Sequence, residues 1–231
     1  MRFQRLAIYY LPPPGPLADF GAGWLGWDAR AGATLAQPDC GLDAAALTTA
    51  PRRYGFHATL KAPFRLAEGR AQAEALEALR DLAAGLAPVT LPEGLALRAD
   101  YGFLALVPPA PVAALDALAA DLVRGMDGFR APLTAAERAR RRPETLNPRQ
   151  RDHLDRWGYP WIFGDFRFHM TLTGPLADPA PVMRVLAPLL PANLGAPLII
   201  RHVALMGEDA DGRFRLIAEA PLSGQKWMAR P

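Results

Sequence analysis

Cysteine is almost absent from this 231-residue chain, where Cys40 stands alone. A single thiol excludes a disulfide framework and any multi-cysteine zinc or iron–sulfur centre, and it fits a reducing compartment. Long apolar runs are missing as well. None approaches the ~20 residues a helix needs to cross a bilayer. The opening Met1-Arg2-Phe3-Gln4-Arg5 leads directly into a strand-like segment and lacks signal-peptide architecture. A cytoplasmic protein with no membrane partner is the expectation. Lysine is scarce too: of 26 basic residues only Lys61 and Lys226 are lysines. With a net charge of +3, the basic character reflects heavy use of arginine and is a weak pointer to nucleic acid.

What remains is globular composition, 51% hydrophobic and 21% charged. A chain of this length buries roughly 70% of its unfolded surface, so it folds without disulfides or metal. One domain over residues 1–231, made of two lobes, is expected, and a monomer.

An internal repeat organises the sequence. Residues 57–63 read His-Ala-Thr-Leu-Lys-Ala-Pro, and residues 169–175 read His-Met-Thr-Leu-Thr-Gly-Pro. Both fit H-x-T-L-x-[A/G]-P, and Phe56 and Phe168 precede the two histidines. The surroundings repeat. Helical periodicity follows the first copy over 70–87, with Leu76, Leu79, Leu82, Ala83 and Leu86 on one stripe. Strand-like stretches follow near 95–99 and 102–107, with Asp100-Tyr101-Gly102 between them. After the second copy, Asp178 and Pro179 read as a helix start, the helix runs to about 190, and strands lie near 198–206 and 213–220, joined by the turn residues 209–212. Strands over 6–11 and 102–107 precede the two motifs, each closed by prolines. A further helix spans 111 to about 126. The less regular stretches 12–52 and 129–165 read as loops and short helices around a site. The fold class is therefore α+β. Duplicated strand–helix–hairpin units are related by a pseudo-two-fold, antiparallel sheets flank a central cleft, and helices lie outside.

In a strand, alternate residues share a face. His57, Thr59 and Lys61 would project together, as would Arg167, His169, Thr171 and Thr173. Two such strands side by side would make a pocket in which one imidazole takes a proton from a nucleophile while the other donates one to a leaving oxygen. The threonine hydroxyls, Lys61 and Arg167 would hold oxygens that gain charge. That chemistry suits a phosphodiester and calls for no metal or cofactor. One H-x-T alone carries no such meaning; its duplication in matching context does. A purely structural duplication, with Thr as a strand former and Pro ending each strand, is the competing reading. A metal site lacks H-x-x-x-H spacing. His153 and His202 lack this context, and His202 reads as a core or edge residue. The run Arg138-Ala139-Arg140-Arg141-Arg142 reads as a solvated face, with a phosphate-backbone contact as the alternative. Trp157, Tyr159 and Trp161 read as loop packing, with base stacking as the alternative.

The paired motifs on a duplicated scaffold resemble the two-histidine (2H) phosphoesterase superfamily, which includes 2′,3′-cyclic nucleotide phosphodiesterases and RNA 2′,3′-cyclic ligase/phosphodiesterases. The strings Arg53-Tyr54-Gly55-Phe56-His57-Ala58-Thr59-Leu60-Lys61 and Phe166-Arg167-Phe168-His169-Met170-Thr171-Leu172-Thr173-Gly174 look like one branch of it, associated with phosphonate metabolism. The resemblance implies a bilobal fold with a cleft lined by both motifs, and catalytic pairs His57 with Thr59 and His169 with Thr171. It also implies a small cyclic phosphate as substrate, either nucleoside 2′,3′-cyclic or ribose 1,2-cyclic. A nucleotide- or RNA-end-binding module, or RNA end processing, is the alternative.

Overall fold

The structure is a computed structural model that describes residues 3–100 and 102–224. Tyr101, in the turn expected near Gly102, and Met1 and Arg2 of the opening segment lie outside the described residues, as does Lys226. The strands are β1 (Leu6–Tyr10), β2 (Trp27–Asp28), β3 (Ala33–Thr34), β4 (Ala58–Phe64), β5 (Val89–Leu91), β6 (Ala96–Arg98), β7 (Ala105–Val107), β8 (Met170–Thr171), β9 (Leu198–Ile200), β10 (His202–Glu208) and β11 (Phe214–Pro221). The α-helices are α1 (Pro16–Leu25), α2 (Ala44–Leu47), α3 (Thr49–Arg52), α4 (Gln72–Gly85), α5 (Ala113–Gly125), α6 (Ala135–Ala139), α7 (Pro148–Trp157) and α8 (Ala180–Leu186).

Seven strands form one antiparallel sheet in the order β11-β10-β1-β4-β8-β7-β6. The α+β, antiparallel reading holds. The two expected strand sets are joined, however, through the single Cα pair Ala58↔Met170. They are also not halves of the chain. The strand that follows each motif lies beside the strand that precedes the other: β6 pairs with β7, and β10 pairs with β1. β1 and β7 then flank the motif strands β4 and β8 on either side. This interlocking puts the two motif strands at the centre of the sheet.

Local chemistry explains the boundaries. Pro12–Pro14 end β1, and Pro16 starts α1, which stops at Gly26 in the left-handed conformation (φ 70°). In α7, Asn147 and Gln150 form a reciprocal cap around Pro148, and Gly158 (φ 77°) ends the helix. The turn expected at 209–212 closes β10 to β11, with Gly212 N–H donating to the Asp209 carbonyl at 2.9 Å. The expected continuous strand 198–206 is split at Arg201. Its first part, β9, leaves the main sheet to pair with β5.

The sheet has two unlike faces. α4 packs on β10 and β11, and α5 packs on β4. That side holds the main core, including Ile8, Ala58, Leu60, Leu79, Leu118, Leu122 and Met170. The opposite face carries a smaller cluster of Ala7, Tyr9, Leu11, Trp27, Met206 and Phe214. Burial of β1 on both faces makes it wholly inaccessible, as its uninterrupted apolar sequence requires.

Candidate active site

The pair Ala58↔Met170 sets the geometry of the site. Both side chains lie in the helix-side core, so their neighbours point the other way. Antiparallel register then places His57 across from Thr171 and Thr59 across from His169, all four on one face. Directly opposed side chains sit about 5 Å apart and diagonal ones about 7–8 Å. The two imidazoles are diagonal neighbours, and so are the two hydroxyls. All four residues are half-buried.

The two histidines are oriented alike. His57 Nδ1–H donates to the Gly55 carbonyl at 2.9 Å, and His169 Nδ1–H donates to the Arg167 carbonyl at 2.8 Å. A carbonyl only accepts, so both rings carry their proton on Nδ1 when neutral, and Nε2 is the accepting nitrogen. His57 Nε2 accepts from Thr59 Oγ1 at 3.1 Å. At Gly55 φ is +74°, a conformation that turns its carbonyl under the ring and favours glycine.

Aromatic rings surround the imidazoles. Tyr9 stacks on His57 with ring centroids 3.8 Å apart and planes 26° from parallel. Tyr54 approaches the same ring at 6.0 Å. Phe103 lies 5.8 Å from the His169 ring. Sequence reasoning missed Tyr9, Tyr54 and Phe103. Tyr9 sits in a segment that reads only as core strand, and its position opposite Thr59 follows from strand pairing that no local pattern announces. Burial pushes the His57 pKa down to about 4, with the nearby His169 adding to the drop against the Gly55 hydrogen bond. Burial also lowers the pKa of His169, against its hydrogen bond to Arg167. In the free protein both rings are therefore held toward the neutral form at neutral pH.

Two of the expected substrate-binding residues are elsewhere. The register between β1 and β4 pairs Tyr9 with Thr59 but Ile8 with Lys61. Leu60 is the extra residue of a β-bulge. The bulge breaks the alternation and turns Lys61 to the helix side. There its buried Nζ donates to the Val123 carbonyl at 3.0 Å and to Asp127 at 3.3 Å. Val123 is near the C-terminus of α5, so Lys61 caps that helix. Burial pushes its pKa down to about 8, against the pull of Asp127. Thr173 is also withdrawn. β8 ends at Thr171, and the buried Thr173 Oγ1 accepts the Leu104 N–H at 3.0 Å. Lys61 and Thr173 thus bind the fold together rather than facing the histidines.

Arg167 does face the site. With Thr59, His169, Phe103, Tyr159, Trp161 and others it lines a cleft of about 440 Å³. The Arg138–Arg142 run ends α6, and Arg138 pairs with Asp155 on the surface. His153 is buried beside Asp165 and the Pro160 carbonyl. His202, expected in the core or at an edge, is exposed at the start of β10. Among the described residues, no three His, Cys, Asp or Glu side chains converge as a ligand set, and no helix is long and apolar enough to span a membrane.

Fold and site together define an α+β protein that presents two matching imidazole–hydroxyl pairs on one sheet face. Over residues 59–215 the chain matches the model of a family described as a protein of unknown function, DUF1045, and it belongs to that family. It is 38% identical over 233 residues to the ribose 1,5-bisphosphate phosphokinase PhnN of Janthinobacterium sp. (strain Marseille), covering 96% of this chain and 51% of that one. It is 39% identical over 187 residues to the protein of the same name from Laribacter hongkongensis (strain HLHK9), covering 76% and 41%. The chain spans about half the length of these curated relatives, or less. Among solved structures it is similar to a phosphoesterase (TM-score 0.44, 18% identity) and to E. coli LigT complexed with 3′-AMP (TM-score 0.46, 18% identity), each over 96% of this chain and 99% of the other.

Proposed function

We propose that this protein is a metal-independent cyclic phosphodiesterase that opens a small cyclic phosphate on ribose, either nucleoside 2′,3′-cyclic or ribose 1,2-cyclic. The observation that supports this reading is the Ala58↔Met170 register, from which the two His/Thr pairs share one face of the sheet. Water attacks phosphorus, and one imidazole Nε2 takes its proton. The other imidazole, protonated, gives its Nε2 proton to the departing ribose oxygen as the ring P–O bond breaks. The Thr59 hydroxyl, turned from His57 Nε2 to the substrate, and the Thr171 hydroxyl donate to the non-bridging oxygens, where charge grows in the transition state. The free site disfavours imidazolium, and the negative phosphate restores it for the ring that must act as acid. Binding and protonation are thereby linked.

The test is phosphorus NMR of the purified protein with 2′,3′-, 3′,5′- and ribose 1,2-cyclic phosphates in excess chelator. Ring opening of a 2′,3′- or 1,2-cyclic phosphate that persists in chelator supports the mechanism. Loss of cleavage on chelation, or no cleavage of either class, refutes it. A second reading, a module that holds a nucleotide or RNA end, is favoured by the aromatic cleft walls Phe103, Tyr159 and Trp161, on which a base would stack. It requires binding that survives His57→Ala and His169→Ala without turnover in the wild type.

A further inference from the structure

The two motifs are most alike at His and Thr, and they differ two residues before each histidine. Gly55 and Arg167 occupy equivalent positions and do the same backbone task, accepting Nδ1–H from the following histidine. That task needs only a carbonyl, so the Arg167 side chain is surplus to it. Among the described residues its guanidinium hydrogen-bonds only to the Gly164 and Phe166 carbonyls, through Nη1, and it has no carboxylate partner. Three other arginines of this region do, Arg130 with Asp127, Arg138 with Asp155 and Arg149 with Asp165, whereas Arg151, like Arg167, donates to a carbonyl.

Charge in the cleft is correspondingly uneven. Among the described residues, its charged lining residues are Asp165 and Arg167. Asp165 accepts from Nε and Nη2 of Arg149 and from Gln150, so its charge is already met. Lys61 has been turned to the other side of the sheet. Among the described residues, Arg167 is left as the cleft's uncompensated cation. It also lines an adjoining cavity of about 400 Å³, which shares Phe166 with the cleft and adds Arg98. Asp100 and Asp116 line that cavity too and offset Arg98, so the weight falls on Arg167, where the two spaces meet.

We infer that Arg167 is a specificity residue that reads a second phosphate on the substrate, so that the enzyme acts on a ribose cyclic phosphate bearing a distal phosphate group. This inference rests on the phosphodiesterase reading above. Guanidinium is suited to phosphate by its planar fork of donors, and Nε and Nη2 are unengaged by the described residues. The Arg167 carbonyl also holds His169. Docking a distal phosphate on the side chain therefore steadies the imidazole two residues on, which turns remote binding energy into catalysis. The reaction class that follows agrees. Take a ribose 1,2-cyclic phosphate with a phosphate on C5. Water forms a new P–O bond, the P–O2 bond breaks, and O2 takes a proton. The product carries phosphates on C1 and C5. A kinase acting on ribose 1,5-bisphosphate, the activity named for the relatives, consumes that product.

The experiment compares kcat/KM for ribose 1,2-cyclic phosphate with and without a 5-phosphate, in the wild type, Arg167→Lys and Arg167→Ala. A charge-assisted pair of this kind discriminates by about 10–100-fold. The wild type should prefer the 5-phosphorylated ring by that factor. The preference should shrink in Arg167→Lys and nearly vanish in Arg167→Ala, with the loss appearing in kcat as well as in KM. A wild type that cleaves both rings equally, or an Arg167→Ala enzyme that keeps the full preference, overturns the inference and leaves the phosphodiesterase reading standing. Failure to open any of the cyclic phosphates sinks both.

Discussion

The two motif strands share His-x-Thr-Leu yet end differently. β4 runs on for seven residues with a bulge at Leu60, whereas β8 stops after two. Up to the threonine the copies are equivalent: each histidine leans on the carbonyl two residues back and stands across from the other copy's threonine. Beyond it they diverge, and the residues four places after each histidine, Lys61 and Thr173, both leave the site. One caps a helix end and the other satisfies a buried amide. The repeat therefore keeps one geometry for three residues and diverges thereafter. A motif's length in sequence overstates the length of its site.

The strongest way to break that comparison is to remove each histidine. His57→Ala and His169→Ala should each lower turnover on a cleavable cyclic phosphate by about 10²–10⁴-fold, with melting temperatures close to wild type. Near-normal turnover in either variant would end the equivalence of the copies.

A pH difference sharpens it next. His57 has a folded-state pKa of about 4 against an ordinary 6.5, so the unfolded chain binds the extra proton first. Its contribution to stability is complete above pH 6.5 and is lost as pH falls toward 4, by about 3 kcal/mol at most. Urea midpoints at pH 7.5 and 4.5 should show a smaller acid loss in His57→Gln than in the wild type. Equal losses would mean that the ring is not desolvated.

Lys61→Met should cost about 1–3 kcal/mol, because the Val123 carbonyl loses its donor and Asp127 keeps only Arg130. Turnover per folded molecule should stay near wild type. A turnover loss as large as that of the histidine variants, at unchanged stability, would return Lys61 to the site. The smallest effect is expected at the equivalent position of the other copy. Thr173→Val leaves the buried Leu104 N–H without its acceptor and should lower stability by about 1–2 kcal/mol, read by thermal unfolding, while Thr171→Val leaves stability nearly unchanged.

Much of the fold was legible because its signals are local. Helical periodicity located α4 and α5 within a few residues. Proline marked the end of β1, and the glycine-containing turn marked the β10–β11 connection. The His/Thr pairing was legible because a string of this length rarely recurs by chance in matching surroundings. The faces of Lys61 and Thr173 were not, since period-two reasoning assumes an unbroken strand, and a bulge or an early strand end cancels it. Tyr9 was invisible for a related reason: its role depends on which strand lies beside β4.

The sequence by itself determined the element types, the two His-x-Thr pairs and their shared polarity, because each follows from covalent neighbours and a backbone repeat of fixed period. Only tertiary structure decided that the pairs meet, that Tyr9 roofs one imidazole, and that Lys61 serves a helix end. Those outcomes depend on register between strands far apart in the chain, and the burial of whole faces, rather than any local preference, selects that register.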